Sequence, residues 1–216
     1  MSLPFFAELV LRTDEARREF ETHPVVLDAV AHGMTLERYS KLLMELFHLV
    51  WHFNPICAAA ASRVSDEERS IRYFLYEHIH EESGHEEWVL NDLEAVGVLR
   101  ETAPLTSPSV FVTALCGYNY WCADRRHPCS ALGMMYSLEV IASVYGGPFA
   151  SAISESLLLE NRRGVSFISS HAEMDAQHMI SLRLALNTVT KKEAKDAIVE
   201  SALVNFHHFT KMFAAI

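Results

Sequence analysis

The chain of 216 residues predicts an all-α protein, and three observations carry that prediction. Apolar residues recur with the helical period almost throughout. Gly and Pro are few, at 8 and 7. No segment alternates apolar and polar residues in the manner of a run of strands. Half of the residues are hydrophobic and 21% are charged, a globular composition, and the length suits one domain spanning 1–216.

A first helix is predicted from about Pro4 to Phe20. "THPVVLDAVAHG" predicts a short helix ended by Gly33. Thr35 then caps a long one, "LERYSKLLMELFHLVWHFNPICAAAASRV", which Pro55 should kink. Ser65 and Glu68 form a capping box opening a helix that runs to about Val96 and stops at Gly97. "SLEVIASVYGG" closes another helix at a glycine pair, a long helix covers about Val165 to Val189, and Thr190 caps the last.

Composition removes several function classes. The formal charge of −10, with no Lys/Arg cluster, argues against a nucleic-acid partner. The longest stretch without charge, Thr102 to Ala123, opens with prolines and hydroxyl residues, so no membrane span is expected there. The N-terminus lacks a basic region followed by an apolar stretch, so a cytoplasmic protein is expected. Cys57, Cys116, Cys122 and Cys129 form no C-x-x-C pair and are expected to be reduced thiols.

The chemistry concentrates in two motifs. In "HIHEESGHEEW", residues 78–88, His80 and His85 lie five apart and point about 140° from each other on a helix. That excludes the zinc-protease pattern, whose histidines are four apart. Glu82 and His85, at i and i+3, form instead the Glu-x-x-His unit of di-iron bundles. In "HAEMDAQHM", His171, Asp175 and His178 fall within about 60° of one another, while Glu173 and Gln177 point elsewhere.

Between the motifs lies Glu139, the only acid between Asp124 and Glu155, in an otherwise apolar helix where burial demands a partner. Glu45, His48 and His52 share a face further back. The order Glu45, Glu82-x-x-His85, Glu139, Asp175-x-x-His178 is a lone carboxylate and a carboxylate–His pair, given twice. This is the order of ferritin-like di-metal proteins. Bridging carboxylates with histidines suit iron or manganese better than zinc. The candidate ligands are therefore Glu82, His85, Glu139, His171, Asp175 and His178, with Glu45, His48, His52, His78 and Glu81 as possible additions.

At these residues the chain resembles the haem-oxygenase-like di-iron oxidase family, of the superfamily that includes TenA-type thiaminases and pyrroloquinoline-quinone synthase (PqqC-like). The resemblance rests on H-x₃-D-x₂-H at His171, Asp175 and His178, on Glu139 about thirty residues earlier, and on Glu82-x-x-His85. With "THPVVLDAVAHGMTLERYSKLL" it extends from about His23 to Val189. It implies a compact bundle of seven to eight helices around two irons per chain, a homodimer, and O₂-dependent oxidation of a small organic substrate. One iron would take Glu82 and His85 and the other Asp175 and His178, with Glu139 bridging or binding one and His171 completing the set. Glu82, Glu81 and His78 remain alternatives for the first ligand, in that order.

Aromatic residues of Phe47–Phe53 and Phe111–Trp121 are expected to line the pocket. The competing readings are a metal-independent thiaminase-type enzyme using Cys116, Cys122 or Cys129, and a non-catalytic iron- or partner-binding protein. A third is haem chemistry with His23 or His52 as axial ligand.

Overall fold

The computed structural model describes residues 3–160 and 162–216, and the side chains of Asp175 and Ala176 lie outside the described residues. Among the described residues there is no strand. The α-helices are α1 (Phe5–Arg12), α2 (Asp14–Glu21), α3 (Pro24–His32), α4 (Leu36–Ala61), α5 (Arg69–Glu81) and α6 (His85–Ala95). They continue with α7 (Val110–Arg125), α8 (Ser130–Ile141), α9 (Gly147–Ser156), α10 (Ser166–Thr188) and α11 (Lys192–Ala215).

The segments outnumber the seven or eight expected because three helical stretches are divided. Thr13 separates α1 from α2, its buried hydroxyl donating to the Leu9 carbonyl at 2.8 Å and meeting the Tyr136 hydroxyl at 3.3 Å. A Ser/Thr hydroxyl bonded back to residue i−4 competes with the helical ladder and bends the chain. A turn at Glu82, Ser83 and Gly84 separates α5 from α6. Between α8 and α9 the helix passes through a π-turn, Ala142–Gly146.

That last passage corrects the expected stop at the glycine pair. A Cβ on Gly146 would lie 3.1 Å from Ala172 Cβ and 3.2 Å from the Ile168 carbonyl, so this glycine serves a close helix contact. Pro148, in the first turn of α9, fits where no backbone donor is required.

Several end signals hold. Thr35 Oγ1 accepts from Arg38 N, and Gly33 and Gly97 adopt positive φ where their helices end, while His23, whose Nδ1 accepts from Val25 N, is a cap the sequence reading did not name. Two caps do not form. Ser65 and Glu68 bond to each other through their side chains beside a 3₁₀ turn, and α11 begins after Lys191 without a side-chain cap. Helix α4 continues through Pro55. By length and composition it could cross a membrane, but here it is a core helix.

The core is built round α8, in which every residue but Leu138 is buried. Helix α11 runs along it, α7 and α10 flank it, and α4 packs across α5, α6 and α7. Asn119 and Asn205 exchange reciprocal amide bonds of 2.8 and 3.1 Å, tying α7 to α11 inside the core. Gly133 sets the spacing of α8 and α11, since a Cβ there would fall 2.1 Å from the Ile198 carbonyl.

Two glycine substitutions should therefore act with opposite signs. Gly133→Ala forces backbone against backbone and is expected to cost about 1–3 kcal/mol. Gly117→Ala, in helix α7 with open space where the Cβ would go, should gain about 0.5–1 kcal/mol. Thermal unfolding checks both, and a Gly133→Ala protein as stable as the parent would show that α8 and α11 are not in contact there.

Candidate metal centre

The two sequence motifs meet inside the bundle. Helix α5 ends at Glu81, Glu82 is its C-terminal cap, and α6 starts at His85 after Gly84. Gly84 has φ +92°, a conformation that favours glycine. Glu82 and His85 are thus brought together by a turn rather than by one continuous helical face, and the bond between them, His85 Nδ1 to Glu82 Oε2, is 2.7 Å.

Glu82 divides the site in two. On one side His78 (α5), Glu139 (α8) and His178 (α10) gather round its Oε1. His78 Nε2 is 3.9 Å and His178 Nδ1 3.5 Å from that oxygen, and these nitrogens are 3.5 and 3.4 Å from Glu139 Oε1. On the other side, Oε2 faces His85 and His171, the latter at 3.5 Å through Nε2. His85 Nδ1 and His171 Nε2 are 3.2 Å apart.

The arrangement exposes a pattern the sequence already held. His78, Glu82 and His85 are spaced i, i+4, i+7, as are His171, Asp175 and His178. The two triplets cross head to tail, so the first histidine of each meets the last of the other. Ring centroids are 5.0 Å apart for His78 with His178 and 4.9 Å for His85 with His171. His78, set last among the alternatives for the first ligand, is therefore a full member beside Glu82, and the repeated spacing was the signal for it. The Asp175 side chain lies outside the described residues.

The site is buried, with His78 3% exposed, Glu82 8% and Glu139 6%. Burial pushes the His78 imidazole down to about 4, against the pull of Glu82, so it is neutral at pH 7. Burial raises the Glu82 carboxyl, but hydrogen bonds and charge from His171 and His85 outweigh it and hold it well below the usual carboxylate range. His78 Nε2 is buried without a hydrogen bond.

Neighbouring groups fix the rings. His171 Nδ1 donates to the Phe167 carbonyl at 2.9 Å, leaving Nε2 to face Glu82. A second-nitrogen bond of this kind is how metal-ligating histidines are oriented. The His85 ring stacks on Trp88 with centroids 4.0 Å apart. Asp92, two turns along α6 from His85 on the same face, accepts from Ser166 N, Ser166 Oγ and Phe167 N at 2.7–2.8 Å. It caps α10 and fixes that helix against α6. Burial raises the Asp92 carboxyl, and the backbone and Ser166 donors oppose the rise. The Tyr39 hydroxyl, from α4, donates to the Gly164 carbonyl at 2.6 Å, steadying the same approach to α10.

Other candidates are engaged elsewhere. Glu45 accepts from Ser109 N at 3.0 and 3.1 Å and from Ser109 Oγ at 2.8 Å, so it caps α7. His48 pairs with Thr106 Oγ1 at 3.0 Å and His52 with the Tyr120 hydroxyl at 3.1 Å. Their shared face is turned to α7 and its preceding loop, which corrects their place as possible ligands. Glu81 is half exposed at the rim, 3.7 Å from His178 Nε2. Glu173 points outward as expected and pairs with Arg162 at 2.6 Å.

A cavity of about 150 Å³ ends on Glu82, Glu139 and His171. Its aromatic walls include Phe20, Phe167, Phe209 and Phe213; of the aromatic residues expected from Phe47–Phe53 only Phe53 lines it, beside Leu49 and Val50, while Phe47 and Trp51 do not. The Phe111–Trp121 segment does not, because α7 lies across α4 from it. His23 and His52 are absent from the lining, which removes them as axial ligands within this cavity. The four thiols are buried and do not line it either. Burial pushes Cys116 and Cys129 up to about 12, far from nucleophilic thiolates.

Residues 40–207 match the sequence-family model Haem_oxygenas_2, iron-containing redox enzyme. Among curated proteins, none matches the sequence. The fold is haem-oxygenase-like. A domain of unknown function with a haem oxygenase-like fold from Shewanella denitrificans superposes with a TM-score of 0.87 at 22% identity, over 100% of this chain and 92% of that one. A TenA homologue from Pseudomonas syringae gives 0.77 at 13% identity, over 97% and 91%. Haem oxygenase-1 from the cyanobacterium Synechocystis, in complex with haem, gives 0.78 at 15%, over 99% and 92%.

The buried charges make stability depend on pH. Without metal, folded His78 stays neutral down to about pH 4, while the unfolded chain takes up that proton near 6.5. Glu82 remains ionised in the fold below the pH at which the unfolded carboxyl protonates. Both effects act in one direction. The melting temperature of metal-free protein should fall as pH drops from 7 to 4, and His78→Gln should flatten the part between 6.5 and 4. An unaltered profile in that variant would contradict the buried neutral imidazole.

Proposed function

The chain belongs to the family of iron-containing redox enzymes, and we propose that it is a non-haem di-iron oxidase or oxygenase that uses O₂ to oxidise a small organic molecule. The observation that carries this reading is Glu82, which offers one oxygen to each of two buried donor groups. His78, Glu139 and His178 stand on one side and His85 and His171 on the other. Among the described residues the donors are two carboxylates and four imidazoles, with no thiolate, a set that suits iron or manganese. A cluster of this charge, with the buried His78 nitrogen lacking a hydrogen bond, fits bound cations better than an empty core.

The reading differs from the sequence expectation in the role of Glu82. It would join the two metals, and His78 would join Glu139 and His178 on its Oε1 side. Iron bound here would supply O₂ activation and redox equivalents. The chain supplies the rest. Phe167 O fixes the tautomer of His171, Trp88 holds the plane of His85, and the apolar walls of the cavity flank the reacting end.

Anaerobic Fe(II) titration should reach two irons per chain, followed by O₂ consumption linked to metal oxidation. Glu82→Ala should weaken both sites by more than about 100-fold, because ligand loss exceeds the 10–100-fold cost of losing an outer partner. His178→Ala should weaken the site it shares with His78, and Glu173→Ala neither. One tight zinc per chain with no O₂ uptake would overturn the proposal.

A further inference from the structure

The two donor groups differ in what stands behind their histidines. We propose that Glu81, outside the metal centre, is a positioning residue. It accepts from the outer nitrogens of His78 and His178 and leaves their inner nitrogens as lone pairs for a metal. The metal rests on the di-iron reading, while the placing of Glu81 behind both rings does not.

Each of these imidazoles presents one nitrogen to the centre and the other to Glu81. His78 turns Nε2 to Glu139 Oε1 at 3.5 Å and to Glu82 Oε1 at 3.9 Å, and its Nδ1 lies 3.8 Å from Glu81 Oε2. His178 turns Nδ1 to Glu139 Oε1 at 3.4 Å and to Glu82 Oε1 at 3.5 Å, and its Nε2 lies 3.7 Å from that same Glu81 oxygen. The rings come from α5 and α10 and are buried, whereas the Glu81 side chain is 46% exposed. Glu81 is the last residue of α5. One carboxylate at a helix end thus stands behind ligands from two helices. Neither contact has hydrogen-bond length yet, but a swing of about 1 Å by this exposed side chain closes either gap. Its two oxygens have lone pairs for both N–H groups.

A neutral imidazole carries one proton and one lone pair. With the centre alone to choose, the protons would settle on the inner nitrogens, where Glu82 and Glu139 accept them, and a cation would have to displace them. A carboxylate behind the rings draws the protons outward. Two imidazole lone pairs and two carboxylate oxygens are then left facing one another, a set that repels itself until a cation enters. A carboxylate in this place also raises the basicity of the ligands it holds. On the other side of Glu82, the neutral Phe167 carbonyl fills that place for His171, at 2.9 Å. The two metal positions are therefore unequal, and Glu81 serves one of them.

Anaerobic titration of the parent, Glu81→Gln and Glu81→Ala with Fe(II) and with Co(II) tests this. Glu81→Ala should weaken one metal by about 10-fold or more, within the 10–100-fold range of an outer partner, and leave the other unchanged. Glu81→Gln keeps an acceptor oxygen without the charge and should fall between. Proton NMR of the Co(II) protein shows which metal is affected. The exchangeable N–H signals of His78 and His178 should broaden by exchange with water in Glu81→Ala, while that of His171, bonded to Phe167 O, stays sharp. A general loosening of the fold would move all three. Unchanged affinities with unchanged N–H exchange would overturn the proposal. So would a loss of more than about 100-fold in both variants, which exceeds an outer partner and makes Glu81 a ligand. A parent that binds one metal yet shows these effects would uphold the proposal and reject the di-iron reading. Two irons indifferent to Glu81 would do the reverse, and a parent that binds no metal would overturn both.

Discussion

The structure depends on keeping the carboxylate of Glu82 charged where it is only 8% exposed. A buried ion without partners would cost several kcal/mol. Here His85 and His171 meet one oxygen, while His78 and His178 approach the other. Each imidazole comes from a helix that must reach this point in register. Helices α5 and α10 therefore cross head to tail, and the chain breaks at Gly84 so that α6 can turn away after delivering His85.

The surrounding framework holds that register with polar bonds outside the cluster. Asp92 caps α10 from α6, and Tyr39 reaches from α4 to the Gly164 carbonyl just before it. Glu45 performs the same service for α7. These are buried or half-buried groups whose hydrogen bonds are satisfied, as groups removed from water must be. Helix α8, buried along nearly its whole length, brings Glu139 to the cluster, and its close approach to α11 at Gly133 leaves little freedom to shift. The apolar cavity fills what the helices leave open beside the cluster, so the polar end and the hydrocarbon walls come from the same packing.

Much of this was legible in the sequence. Helical periodicity announced the fold class, and Gly33, Thr35 and Gly97 marked helix ends where they occur. Those signals are local, being set by the backbone needs of one turn. Glu139 was legible because a lone acid in an apolar helix must be buried with partners. The repeated spacing of His78-Glu82-His85 and His171-Asp175-His178 was also in plain sight, and it points to His78 once both triplets are compared. The cluster of Glu45, His48 and His52 also offered a ligand face, as a possible addition to the main set. Nothing in spacing alone tells a face that meets metal from one that meets Ser109, Thr106 and Tyr120.

The sequence by itself determined the all-helical class and several helix limits, because these follow from periodicity and capping, and it marked carboxylates and histidines from which the cluster is drawn. Tertiary structure decided which donors meet. It placed Glu82 between two groups rather than within one, paired the first histidine of each triplet with the last of the other, and turned the α4 histidines toward α7. It also chose Phe20, Phe209 and Phe213 for the cavity over the aromatics of α7. Those outcomes depend on helix crossings and on breaks at Thr13 and Gly84, and such crossings are set by close packing between residues far apart in the chain.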